Sequence, residues 1–400
     1  MTVIIPAKKE MIGSEEKICT ESMNPMLVLD LVISVMEWLS FIDFHRARCV
    51  SSVWYSASRS CVGRTNPWLV RFPESNNSSC KLFDPSEHKS YTVRDISFGF
   101  ARSRCLSNYG SWFLMLDDRT ELYLLNLFTR ERIPLLSPET MESTQIKVER
   151  ISDSDLMFTT FYYKDNERLS SEKKNRIEVD IAVLWVDERS RDYLVVWSFS
   201  RLFAYHRKGD DNKSWKVFQP PKNQGWKVVR PLSMAFKESK LYVLSELQRI
   251  IVYDFSGSDS PMECASFSLP DFHRPIMYCH NLAVTLFGQV LIISSIGRNF
   301  LNFYTMDPES SKWSILKSLG EEALLMDQGI TVAAKDGVLK NCIYYSNDQL
   351  YRRIGTSLNN DYNVICVCNI QTKKQFQVFP HLTASDARWF FSTFGAKWSL

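Results

Sequence analysis

The hydrophobic pattern of the chain changes its period once, near residue 66, and that change organises the rest. Between Leu27 and Leu39 apolar residues recur every four positions, at Leu27, Leu31, Val35 and Leu39, with Val32 and Met36 widening the stripe. This spacing puts side chains along one side of a helix, so an amphipathic helix is predicted here. A break at Ser40 to Ile42 is followed by Asp43, a suitable N-cap. A second helical pattern then sets Phe44, Ala47, Val50 or Ser51, and Trp54 on one side. A hairpin of about 35 residues cannot bury both stripes against itself, so part of its apolar surface is expected to meet another body. The alternative is a helical cap packed only on its own downstream domain.

Residues 1–24 are polar and lack sustained periodicity, which predicts a flexible tail. After Asn66-Pro67 short apolar runs punctuated by polar turns take over. One element recurs: an aromatic or aliphatic strand, a polar turn, a basic residue, then an apolar residue opening a return strand. It reads KLFDPSEHKSY from Lys81, LLNLFTRERI from Leu124, FYTMDPESSKW from Phe303 and VCNIQTKKQF from Val367. Looser copies are AYHRKGDDNKSW from Ala204 and VYDFSGSDSPM from Val252. Neighbouring copies lie roughly 40 to 60 residues apart, which overlaps the length of a four-stranded propeller blade. The wider gap after the second copy is expected to hold a further blade around Leu156 to Tyr163.

Composition agrees with a strand-rich body: 45% of the 400 residues are hydrophobic and 13% aromatic. The net charge is only +3 with both signs interleaved, so neither nucleic acid nor an anionic membrane is an expected partner. The local basic cluster Lys173, Lys174 and Arg176 reads as a solvated loop. Ten cysteines without a secretory pattern predict reduced thiols and residence in cytoplasm, nucleus or both. The most apolar stretches fall short of the ~20 residues a spanning helix needs.

Catalytic signatures are sparse. The sequence has no glycine-rich phosphate loop, no His-Glu-x-x-His and no Gly-x-Ser-x-Gly. His45, His88, His206, His273, His280 and His381 are dispersed without ligand spacing, and Cys366 and Cys368 lack a second pair, so neither a metal nor a cofactor is expected. Asp117-Asp118 and Asp210-Asp211 fall in turns, where carboxylates hydrogen-bond the local backbone. Asn76 and Asn212 open Asn-x-Ser sequons that a cytosolic chain would not use. Binding by a propeller concentrates on loops at one face, and the Trp-bearing segments Gln224 to Arg230 and Arg388 to Phe391 are candidates, although an aromatic in a propeller more often packs between blades.

The stretch LVLDLVISVMEWLSFIDFHRARCVSSVWYSAS, Leu27 to Ser58, resembles an F-box, with Leu27, Asp30, Leu31, Leu39, Asp43, Phe44, Val50 and Trp54 at the family spacing. Val28 stands where the family pattern has proline, which removes a rigid start to the first helix. The segments NPWLVRFPES, CKLFDPSEHKSY, SRCLSNYGSWFLMLD, LYLLNLFTRERIPL, LWVDERSRDYLVVW and ARWFF resemble the plant F-box-associated, KIB-type propeller, long catalogued as a domain of unknown function. The resemblance implies a mainly β protein: a tail at 1–24, an F-box helical hairpin at 25–65, and a kelch-like propeller of about six or seven blades at 66–400.

It further implies a non-catalytic, substrate-recognition subunit of an SCF-type ubiquitin ligase. A Skp1-like adaptor, and through it a cullin, would bind the F-box, while a target protein binds the propeller. The adaptor-binding candidates are Leu27, Leu31, Val32, Val35, Leu39, Phe44, Val50 and Trp54. Groove anchors and core residues share one spacing, so the sequence leaves open which of the eight face a partner. Two alternatives stand beside this one: a propeller enzyme, motivated only by the fold, and a non-degradative scaffold or decayed F-box, motivated by Val28.

Overall fold

The computed structural model describes residues 25–61 and 67–391, apart from 74–78, 86–87, 95, 97–98, 142, 144–145, 165–166, 188–189, 210–212, 219–229, 258–259, 270–277, 297–299, 308–309, 311, 336, 347–364 and 378–386. The tail at 1–24, Asn76 and Asn212 of the sequons, Asp210-Asp211, His273, His381 and most of Gln224 to Arg230 lie outside the described residues. The chain divides into two compact units, one helical and one of strands, with the division at Gly63–Arg64.

The helical unit contains α1 (Pro25–Trp38), α2 (Phe41–Arg48) and α3 (Ser52–Ser60). The expected hairpin is therefore three helices, because serines rather than Asp43 set the boundaries. Ser40 caps α2: its hydroxyl accepts the Asp43 amide at 3.2 Å and donates to the Asp43 carboxylate at 2.8 Å. Asp43 thus occupies the third helical position of a reciprocal cap instead of the cap itself. Ser51 opens α3 in extended backbone and accepts the Trp54 amide at 3.4 Å, which separates Trp54 from the helix that carries Phe44. α1 begins at Pro25, one turn before Val28, so a proline still stands at the first helical position.

In the strand unit, four four-stranded antiparallel sheets, one three-stranded sheet and one nine-stranded sheet account for the described strands. All six copies of the sequence repeat fall on the same structural feature, the hairpin joining the two outermost strands of a sheet. In three of them an Asx turn supplies the bend. Asn126 Oδ1 accepts the Phe128 and Thr129 amides, Asp254 accepts that of Ser256, and Asn369 accepts those of Gln371 and Thr372. In the copy from Leu124 the basic residue after the turn lies over an aromatic ring of the preceding strand, Arg132 on Tyr123 at 3.9 Å.

Apolar faces of consecutive sheets close on one another. Val196, Phe203 and Tyr205 of one sheet meet Met234, Leu241 and Ile251 of the next in a shared cluster, with Phe203 stacked on Phe218 at 5.1 Å. The segment expected to form a further blade around Leu156 to Tyr163 is instead a three-stranded sheet of Ile146–Ser152, Asp155–Lys164 and Glu167–Arg176. It has three strands where the other small sheets have four, and its last strand, ERLSSEKKNR, contains one apolar residue. Ile146, Val148, Leu156 and Phe158 pack into the cluster shared by the sheets that flank it. The inner strands of those two sheets, Arg104–Tyr109 and Ile181–Val186, meet each other directly.

The strand unit is closed by pairing across almost its whole length. Ala387–Phe391 adds antiparallel to Pro67–Arg71, with Pro67 opposite Phe391 and Arg71 opposite Ala387. Polar contacts hold this strand in a buried setting. Asp327 Oδ2 accepts the Trp389 amide at 2.6 Å, Asn108 donates to the Trp389 carbonyl at 3.0 Å, and Arg388 donates to the Cys105 carbonyl at 3.1 Å. Arg388 also stands 4.0 Å from Asp327, both side chains being almost fully buried.

Candidate docking face of the helical unit

α1 is apolar on two sides. Leu29, Val32, Ile33 and Met36 follow the i, i+3, i+4, i+7 rule and turn inward, where Met36 packs with Ala47, Ala57 and Cys61. Two alanines at the centre let the helices approach closely. The Cys61 thiol donates to the Ala57 carbonyl at 3.3 Å and lies 3.8 Å from that of Ile33, tying the end of α3 to α1. Burial, reinforced by Glu37, pushes this thiol above its ordinary range, so it packs rather than reacts.

Leu31, Val35 and Trp38, also at i, i+4, i+7, lie on the opposite side of the same helix, 56%, 49% and 87% exposed. Val50 at 68%, Val53 and Tyr55 add exposed apolar surface from the α2–α3 link and α3. The charges around them are solvated: the Arg46–Asp43 pair at 3.2 Å is exposed on both partners and contributes little to stability. Arg48 lies 5.4 Å from the Tyr55 ring centroid. The unit therefore presents large side chains that it does not use for its own core, with no catalytic group among them.

The structure divides the eight sequence candidates. Leu31, Val35 and Val50 are exposed, whereas Val32, Leu39, Phe44 and Trp54 are partly buried against the small core. The side chain of Leu27 lies outside the described residues. Trp38, Val53 and Tyr55 were missed by the every-four-residue reading of the sequence. The spacing of Trp38 three residues after Val35 and seven after Leu31 is the signal that could have found it.

Other candidates resolve into packing. Arg388 to Phe391 is the buried closing strand, not a loop, and Trp389 and Phe390 are fully enclosed. Cys366 and Cys368 share a face of Ile365–Asn369 and belong to an apolar cluster. Asp117 accepts the Arg119 and Glu121 amides at 3.0 and 2.8 Å, the local turn role expected of it. Among the described residues no group of three or more His, Cys, Asp or Glu side chains is placed to hold a metal ion.

Comparison with known proteins bears on both units. An F-box domain model matches residues 25–65, and a KIB1-4 beta-propeller model matches residues 82–379. F-box protein KIB4 of Arabidopsis thaliana is 53% identical over 402 residues, covering 97% of this chain and all of the relative. F-box protein KIB2 of the same plant is 50% identical, covering 98% of this chain and 90% of the relative. F-box/kelch-repeat protein KIB1 is 47% identical and covers 98% of both chains. With both domains matched in order and relatives similar from end to end, the chain belongs to the F-box proteins that carry a KIB1-4 β-propeller.

Proposed function

We propose that this chain is the substrate-recognition subunit of an SCF-type ubiquitin ligase, docking a Skp1-like adaptor on the outer face of its F-box and holding a target protein on its propeller. The observation that carries the reading is the row Leu31, Val35 and Trp38, left open on a helix whose other side already fills the unit's core. Burying exposed apolar surface contributes roughly 25 cal/mol per Å², so a partner that covers this row gains affinity without unfolding anything. The chain supplies no bond chemistry. Its contribution to rate is proximity, raising the effective concentration of target lysines beside the ubiquitin thioester that the adaptor and cullin bring.

The scaffold or decayed-F-box alternative rested on Val28. With α1 starting at Pro25, that substitution leaves the helix start in place, which favours a working F-box. The test is co-purification of the full chain with a Skp1-like adaptor. Wild type is expected to bind. The double variant Leu31→Asp with Val35→Asp is expected to lose at least about 100-fold in affinity while keeping its circular dichroism. Leu39 is unsuitable for this test because it packs inward. Undiminished binding by the double variant would overturn the reading.

A further inference from the structure

We infer that Ser51 is a phosphorylation site for an arginine-directed Ser/Thr kinase, and that its phosphate releases the adaptor from the docking face proposed above, on which this inference rests. Three observations meet at Ser51. It is exposed in the short link between α2 and α3, so its hydroxyl is open to solvent. Arg46 and Arg48 precede it at five and three residues, in the sequence Arg-Ala-Arg-Cys-Val-Ser. Kinases that select basic residues on the amino-terminal side of the acceptor read this charge pattern through acidic pockets of their own. The third observation is position: Val50 and Val53, both exposed apolar side chains, lie on either side of it in sequence.

Arg46 pairs with Asp43 in a contact exposed on both partners, and Arg48 lies 5.4 Å from the ring centroid of Tyr55, itself half exposed. α2 is eight residues long, and a helix of that length frays readily at its last turn, where both arginines sit. The Ser51 cap to the Trp54 amide, at 3.4 Å, is a long one. In the transfer, Ser51 Oγ attacks the γ-phosphorus of ATP, the bond from that phosphorus to the bridging oxygen of ADP breaks, and the hydroxyl proton passes to the kinase's catalytic carboxylate. Phosphoserine and ADP are the products.

The consequence follows from charge. A phosphoserine carries close to two negative charges at neutral pH. At the start of α3 it is favourable for the free helix, because it faces the helix amides. Next to Val50 and Val53 it is unfavourable for docking, because a partner that covers these residues must strip water from the dianion. Free chain and adaptor-bound chain are therefore shifted in opposite directions. Linkage makes the effect reciprocal: the bound adaptor should protect Ser51 from the kinase.

The test uses the full chain, ATP and the catalytic subunit of an arginine-directed kinase, with the phosphate located by mass spectrometry. Affinity for a Skp1-like adaptor is then measured by calorimetry. Phosphate is expected on Ser51, with affinity weakened about tenfold or more and phosphorylation slowed when adaptor is present. Ser51→Asn keeps a capping side chain, so it should bind like wild type and take no phosphate at this position. Ser51→Asp, which differs from it by charge alone, should bind more weakly than Ser51→Asn. Phosphate placed on Ser52 instead, or an unchanged affinity after full modification of Ser51, overturns the inference. A chain that never binds adaptor, modified or not, overturns the receptor reading and the switch together, and unmodified binding is what separates the two failures.

Discussion

The helical unit and the strand unit bury their apolar residues to opposite degrees. In the first, Met36, Ala47, Ala57 and Cys61 are the buried hydrophobics of the described residues, while Leu31, Val35, Trp38 and Val50 remain open. In the second, Trp68, Trp112, Trp197, Trp215 and Trp389 are all fully enclosed, and even the ion pair Arg388–Asp327 is taken out of water. Size explains the difference. A few dozen residues cannot surround large side chains, whereas sheets stacked in sequence cover each other's faces. An apolar residue is thus informative about partners in the small unit and about packing in the large one.

The sharpest way to break that contrast is within α1, at two neighbouring residues that face opposite ways. Met36→Asp places a carboxylate in a four-residue core and should unfold the helical unit, at a cost of several kcal/mol. Val35→Asp should leave stability within about 0.5 kcal/mol. Limited proteolysis between residues 25 and 61 distinguishes them. Equal resistance in the two variants would mean that the inner and outer faces of α1 are not distinct.

The large unit has its own sensitive point at the closing strand. Asp327→Ala removes the acceptor for the Trp389 amide and leaves Arg388 buried without its carboxylate. The expected loss is about 3–5 kcal/mol, read as a lower urea midpoint by tryptophan fluorescence. Adaptor affinity should not change. Coupled loss of both would mean that the adaptor site is not confined to the helical unit. Next in size is Asn126→Ala, which deletes the Asx turn of one repeat and the hydrogen bond to Ser111 at 3.0 Å. Here the loss expected is about 1–2 kcal/mol by the same measurement.

Repeats made the strand unit legible. Each copy falls on its own hairpin, and in three of them an Asx residue makes the turn, so local chemistry announces itself in local sequence. A sheet does lie where a further blade is expected, at Ile146–Arg176, but with three strands, a count that the spacing of the repeats does not fix. Between loop binding and packing, the two roles open to Arg388 to Phe391, the structure shows packing, and the pattern could not decide it because the partner strand, Pro67–Arg71, is at the other end of the unit in sequence. In the helical unit the boundaries turn on Ser40 and Ser51, which are the N-caps, with Asp43 three residues into α2. The inward and outward faces of α1 could not be separated by pattern because both obey the same spacing.

The smallest effect tests how far the seclusion of the large unit extends to a titratable group. His280 lies on Tyr278–Val284 opposite Ser294, and burial pushes its pKa below the ordinary histidine value. Above about pH 6.5 the side chain is neutral in both folded and unfolded chains and contributes no pH dependence. As the pH falls through that value the unfolded chain takes up the proton first, so stability declines until the folded state also protonates. Glu121 acts with the opposite sign, since burial raises its pKa and the folded chain protonates before the unfolded one, but in the lower, carboxylate range. Urea midpoints measured from pH 7.5 to 5.5 should therefore fall in wild type and fall less in His280→Asn. An identical decline in the two would place the acid sensitivity elsewhere, and would mean that His280 reaches water as readily as the exposed side chains of the helical unit do.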